Sequence, residues 1–412
     1  MDPLHAVYLT DAERGGFAAA LEGRGPFCVE SPALPVQAFL AWNLFAAFPR
    51  TWLWILDGPR TLDEFRDNLA ALSAGRDDAF VVFPALEEAA GRSVNPEAAG
   101  ERLAALRRMT EGGGPLIVAT CAAALLQPVP PPDALRSAAL DIALGEGIAF
   151  EALIQALDAA GYRFRPEAAE RGDAAVRGGI VDAWSPHEAY PCRIEYAGAG
   201  IESLRRFDPL DQRSIERIER VRLLPVRAPD DRAADIGAYL PRDAAVVWSD
   251  PARIAGQAEI HERAAGASPP LAAVQARLAA DGARPRIELR PVDETPAGAL
   301  PLQTRALDPL PAPATAGGEP EAVQRLRADF VERVRARARR GRRVVFFFRT
   351  EGARDRFLET FGDDRGGPGA ADYRIGPLSG GFATGGGELT AVAESDLYGR
   401  RRGVGRRASR SR

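Results

Sequence analysis

The chain has 412 residues, 46% of them hydrophobic, with a formal net charge of −4. That is length for roughly two to four compact units. No apolar run is long enough to span a membrane, no basic-then-apolar N-terminus signals secretion, and the charge gives no bulk attraction to nucleic acid.

All 53 basic residues are arginine. A working phosphate loop needs a lysine on the β/γ-phosphates, and Schiff-base chemistry needs one too, so neither is available. Cys28, Cys121 and Cys192 lie far apart, as do the three histidines, so no metal-ligand spacing arises. They read as reduced thiols of a cytoplasmic protein with no cofactor.

In chain order, residues 1–128 read as α/β. Val36–Phe48 is helical after Pro35. Thr51–Leu56 is an apolar run suited to a buried parallel strand. Thr61–Leu72 is a helix with Thr61 as N-cap and Leu62, Phe65, Leu69 and Leu72 on one face. Phe80–Phe83 is a strand, Ala98–Met109 a helix and Leu116–Thr120 a strand. The alternation argues a parallel sheet covered on both faces. Gln127–Pro132 is a stiff proline-rich joint.

Ala149–Ala160 forms an amphipathic helix closed by Gly161. Short strands follow: Ala175–Arg177 and Ile180–Trp184 around Gly178-Gly179, a pair that permits a tight turn or a bulge, then Cys192–Tyr196 and Ile201–Phe207. They predict a small antiparallel sheet carrying several arginines. Pro225–Ala234 is a second joint. Residues 235–295, with a strand at Ala244–Trp248 and a helix at Pro251–Ala265, look like a return to the first unit. Thr295–Pro320 reads as a linker or irregular loop.

Pro320–Arg340 is a long amphipathic helix. Val323, Leu326, Phe330, Val331 and Val334 form its stripe, and Arg327, Arg333, Arg335, Arg337, Arg339 and Arg340 its other face. Arg343–Phe348 is a buried strand and Glu351–Phe361 a helix. Ile375–Phe382 and Glu388–Glu394 complete a small α/β unit. Arg400–Arg412 holds seven arginines and no acid, and its composition predicts disorder.

Four pieces in order carry a family resemblance: Arg177-Gly-Gly-Ile-Val-Asp182, Arg193-Ile-Glu-Tyr196, Ile201-Glu-Ser-Leu-Arg-Arg-Phe-Asp208 and Leu223-Leu-Pro225. They resemble the UvrB-interaction domain of bacterial transcription-repair coupling factor, a domain shared with UvrB. Residues before and after it resemble that family's flanking units, including Thr350-Glu-Gly352, Leu378-Ser-Gly-Gly-Phe382 and Glu394-Ser-Asp-Leu-Tyr-Gly-Arg-Arg401.

The resemblance implies a degenerate RecA-like parallel α/β domain (1–128, rejoined by 229–300) interrupted by a small α+β interaction domain (129–228). A further small α/β domain (301–402) and an arginine-rich tail (403–412) follow. Where UvrB has its phosphate loop, this chain has Glu30-Ser-Pro-Ala-Leu-Pro35, without glycines and with two prolines. The family continues with a polymerase-binding domain, a two-lobed motor and a regulatory domain, so the resemblance covers about its N-terminal third. A truncated piece, a split gene and a stand-alone adaptor all remain open.

In the family the interaction domain docks onto UvrA. Its contact residues map onto Arg177, Arg193 and Tyr196. A second aromatic that follows in the family is Ala197 here, which implies UvrA binding retained but weakened. The expected role is a non-catalytic, UvrA-recruiting module in nucleotide excision repair. The alternatives are a piece of an ATP-dependent translocase, or a sequence-independent DNA-binding protein using the arginine-rich helix and tail.

Overall fold

A computed structural model describes residues 4, 6–23, 25–86, 96–111, 114–145, 148–186, 188–198, 200–226, 234–265, 269–280, 284–310 and 321–399. Over them the chain is α/β.

The run at Thr51–Leu56 forms the strand Trp52–Leu56, buried at every residue. Such a run suits only a sheet covered on both faces. It lies inside six parallel strands, in the order Pro26–Glu30, Arg286–Arg290, Ala245–Ser249, Trp52–Leu56, Ile117–Cys121, Phe80–Phe83. The chain therefore leaves this sheet after Cys121 and comes back to it at Ala245.

The outgoing and returning segments are pinned side by side. Val129 and Ala234 exchange backbone hydrogen bonds of 2.9 and 3.1 Å, and the Tyr239 hydroxyl donates to the Pro130 carbonyl at 2.8 Å. The buried Arg102 guanidinium donates to the carbonyls of Pro84 and Gln127 at 2.9 and 3.0 Å, and lies 3.9 Å over the Phe83 ring. The proline-rich stretch is thus anchored in the main core through Val129 and Leu135.

Between those segments stands a second six-stranded sheet, ordered Ser214–Arg217, Gly200–Phe207, Cys192–Ala197, Ile180–Ala183, Asp173–Arg177, Arg163–Phe164. It is antiparallel apart from its last pair. Gly178 takes the left-handed φ of 59° that the tight turn demands. Val181, Ile194 and Leu204 on one face pack against Leu153 and Leu157 of the helix Phe150–Ala159.

The third sheet is ordered Arg305–Ala306, Phe382–Ala383, Leu389–Ala393, Arg343–Phe348, Asp372–Ile375. Alternation divides its strand Arg343–Phe348 between two cores. Val344, Phe346 and Phe348 join Val331 and Val334 of the helix Glu321–Arg339, while Val345 and Phe347 join the main core. Phe382 sits against Phe39 with ring centroids 4.4 Å apart. The Asn68 side chain donates to Ser379 Oγ at 3.0 Å and accepts from the Ser379 amide at 2.7 Å.

Several local expectations are corrected. Thr61 is not an N-cap: the helix is Pro59–Ser73, capped at Gly58, because Pro59 presets the first helical φ without needing a donor. Ile375–Phe382 is not one element. The strand stops at Ile375, Pro377 cannot donate, and glycines carry the chain past Ala71 and Pro35. A Cβ on Gly381 would collide with Asp396 and the Ala391 carbonyl.

The stretch after Thr295 is not a free linker as far as residue 310. Leu300 hydrogen-bonds both Cys28 and Glu30, and Arg305–Ala306 adds an edge strand. Residues 311–320, most of the Pro225–Ala234 joint and residues 400–412 lie outside the described residues.

The arginine-rich helix differs most. Arg327 and Arg335, expected on its solvent face, are 3% and 6% exposed. Arg335 donates to the Tyr373 hydroxyl at 2.9 Å and to the carbonyls of Phe361 and Gly362 at 2.6 and 2.7 Å. Arg327 donates to the Leu397 carbonyl and covers the Tyr398 ring. Leu326, expected in the apolar stripe, is 47% exposed. A long guanidinium can satisfy carbonyls inside a core, so polarity alone misassigns it.

Candidate partner-binding face

The second sheet has two unlike faces, and strand alternation sets which residue joins which. Cys192, Ile194 and Tyr196 point to the apolar core; Arg193, Glu195 and Ala197 point away from it. Register then aligns Ala175, Asp182, Arg193 and Arg205 across four strands, with Arg177, Ile180, Glu195 and Ser203 in the next row. The outer face is therefore a ladder of charged side chains.

Asp182 is its centre, with 1% of its side chain exposed. Its two oxygens take Arg193 Nε at 2.7 Å and Nη2 at 2.8 Å. Arg177 Nη2 donates to Oδ2 at 2.9 Å from the other side. Arg193 also donates to Gln212 Oε1 at 2.9 Å and lies 4.3 Å over the Phe207 ring. Hydrogen bonding to Asp182 holds the Arg193 pKa above its ordinary range, against the opposing effect of burial. A second group adjoins it: Glu195 accepts from Ser203 Oγ at 2.7 Å and from Arg205.

The structure brings Arg177 and Arg193 to one carboxylate but gives them unequal access. Arg177 is 44% exposed and Arg193 15%. Arg193 spends its planar fork within the domain, so it acts on the face by holding Asp182. Tyr196 lies on the opposite side of the sheet from both. Its ring meets Phe150 edge-on at 5.3 Å, its hydroxyl has no hydrogen-bond partner among the described residues, and burial raises its pKa. The exposed Ala197 is the neighbour that shares the arginine face.

Sequence reasoning overlooked the parts of Asp182, Glu195, Arg205 and Gln212. Period-two alternation could have placed Glu195 and Arg205 beside Arg193. Gln212 reaches it from the loop after Phe207, at a φ of 62°, and no local signal announces that.

At the first sheet, the segment in the place of a phosphate loop is wired internally. Gln37 Nε2 donates to the Pro32 carbonyl at 3.0 Å and to Ser31 Oγ at 3.3 Å, and Gln37 Oε1 accepts from Ser249 Oγ at 2.7 Å.

A sequence model of the UvrB interaction domain matches residues 140–228. The chain is 35% identical over 136 residues to the transcription-repair-coupling factor of Myxococcus xanthus, covering 32% of this chain and 11% of that protein. It is 37% identical over 111 residues to that of Escherichia coli, covering 27% and 10%. Similarity to the UvrABC system protein B of Thermosipho africanus is 29% over 86 residues, 21% of this chain and 13% of that protein. The matched stretch spans only about a tenth of these coupling factors. Among the described residues no helix is long and apolar enough to cross a membrane. Residues 140–228 thus match the UvrB interaction domain, and about a third of the chain is similar to a stretch of transcription-repair-coupling factors.

Proposed function

We propose that this chain is a non-catalytic recruiting module of nucleotide excision repair, and that its arginine ladder docks UvrA. The observation that carries the reading is Arg177. On the domain that matches the UvrB interaction family, its guanidinium stands 44% exposed yet fixed 2.9 Å from a buried carboxylate. Pre-ordering lowers the cost of immobilising a long side chain on binding. An arginine so held can grip a partner's carboxylate and contribute about 2 kcal/mol or more. Ala197, on the same face, leaves open the space an aromatic anchor would fill.

The test is a calorimetric titration of the chain with UvrA from the same organism. Micromolar or tighter binding, abolished by Arg177→Glu and strengthened by Ala197→Phe, supports the reading. No binding by the unmodified chain, or binding indifferent to Arg177→Glu, overturns it.

A further inference from the structure

From Arg333 to Thr350 the sequence holds eight arginines and no acid. The structure sorts them. Arg335 is buried, Arg339 is paired with Glu332, and Arg349 lies past the far end of the strand Arg343–Phe348. The other five are exposed and cluster where the helix Glu321–Arg339 ends.

Arg333, Arg337 and Arg340 recur at i, i+4 and i+7, which puts them on one side over about 10 Å of helix. Gly341, at a φ of 79°, then turns the chain, and the Arg342 and Gly341 amides close onto the carbonyls of Arg337 and Ala338. That cap sets Arg342 and Arg343 directly beyond the same end. Arg333, Arg340 and Arg342 make no ion pair among the described residues. Among the described residues the side chains of Arg337 and Arg343 donate only to neutral hydroxyls, of Thr390 at 2.9 Å and Tyr8 at 3.0 Å.

Helix-end electrostatics account for a basic residue or two in the last turn. Five uncompensated guanidiniums are more than that end requires, and they cost self-repulsion. Three acids stand near them among the described residues: Asp329 lies one turn before Arg333, Glu332 is taken by Arg339, and the Arg343 amide pairs with the carbonyl of Glu388.

We infer that this five-arginine stripe is a docking surface for the phosphodiester backbone of nucleic acid, separate from the ladder on the second sheet. The chemistry favours a repeating polyanion. Duplex DNA presents one charge per about 1.7 Å of axis, so the helical part of the stripe spans several phosphates. From Arg333 to Arg343 the sequence holds no aromatic residue, and Tyr8 meets Arg343 through its hydroxyl, so base stacking is not called for and the contact is independent of sequence.

The test is binding of the full chain to a random-sequence duplex across a salt series. One variant carries Arg333→Gln, Arg340→Gln and Arg342→Gln. A charge-matched control carries Arg171→Gln, Arg220→Gln and Arg242→Gln, all exposed positions elsewhere. The stripe variant should lower the slope of log K against log salt by about three and weaken binding at least about tenfold near 0.1 M salt. The control and Arg177→Glu should keep the parent slope. A stripe variant with unchanged slope, or a control that loses as much, overturns the inference. So does tighter binding of polyglutamate than of duplex at equal salt, which would make an acidic protein the partner. Melting temperatures within a degree or two of the parent confirm that the variants fold.

Discussion

Arg193 meets Asp182 through two parallel hydrogen bonds, 2.7 Å from Nε to Oδ1 and 2.8 Å from Nη2 to Oδ2. Both groups are largely withdrawn from water, and the same carboxylate takes Arg177 on its other side. The pair thus supports the more exposed arginine by occupying the less exposed one. Breaking a buried pair from one side leaves an uncompensated charge.

Asp182→Ala should therefore destabilise the chain by about 3 kcal/mol, read as a lower urea midpoint. Arg177→Ala, at the exposed end of the network, should cost under about 1 kcal/mol. Equal costs for the two would contradict a central role for Asp182. The two arginines should also divide in binding: Arg177→Ala lowers UvrA affinity at nearly full stability, while Arg193→Ala lowers stability first.

Arg335 and Arg333 lie two positions apart on one helix and should behave oppositely. Arg335→Ala strands the Phe361 and Gly362 carbonyls, leaves the Tyr373 hydroxyl only its bond to Asp364, and should cost about 3 kcal/mol. Arg333→Ala should stay within about 0.5 kcal/mol. A thermal melt of each distinguishes them, and a silent Arg335 variant would refute its structural assignment.

The first and third sheets share a core, so they should unfold together. Phe382→Ala removes a fully buried ring packed against Phe39 and should cost about 3 to 5 kcal/mol. Tryptophan emission from Trp52, Trp54 and Trp248 in the first sheet should then shift at a lower denaturant concentration. An unshifted tryptophan transition would show that the sheets unfold independently.

Alkali should destabilise the fold. Burial pushes the Cys192 thiol from an ordinary 9.0 up to about 12, and raises the Cys121 thiol as well. Burial also raises the hydroxyls of Tyr162, Tyr239 and Tyr373 above their usual value of 10.0. Unfolding frees these groups to ionise, so above about pH 9 the folded chain holds more protons than the unfolded one and stability falls as pH rises. Their contribution is complete below about pH 9 and is lost progressively towards about pH 12. Unfolding free energies measured from about pH 8 to about pH 11 should decline steadily, and a flat profile would contradict the buried state of these groups.

The sequence by itself determined what depends on short-range chemistry. Fully apolar runs such as Trp52–Leu56 suited strands of a covered sheet. The Gly178-Gly179 pair permitted a tight turn or a bulge, and the ordered motifs from Arg177 to Pro225 marked the interaction domain. Without lysine, no phosphate loop of the usual kind could form. Tertiary structure alone decided where each polar side chain spends its hydrogen bonds. Arg335 and Arg333 look alike in sequence, but only Arg335 meets carbonyls from Phe361 and Gly362, more than 25 residues away. Tyr196 and Ala197 are neighbours in the chain and lie on opposite faces, because successive strand residues alternate. Arg193 looked like a free contact residue until the register set it opposite Asp182. Burial and pairing arise from contacts between segments distant along the chain, and local pattern does not encode them.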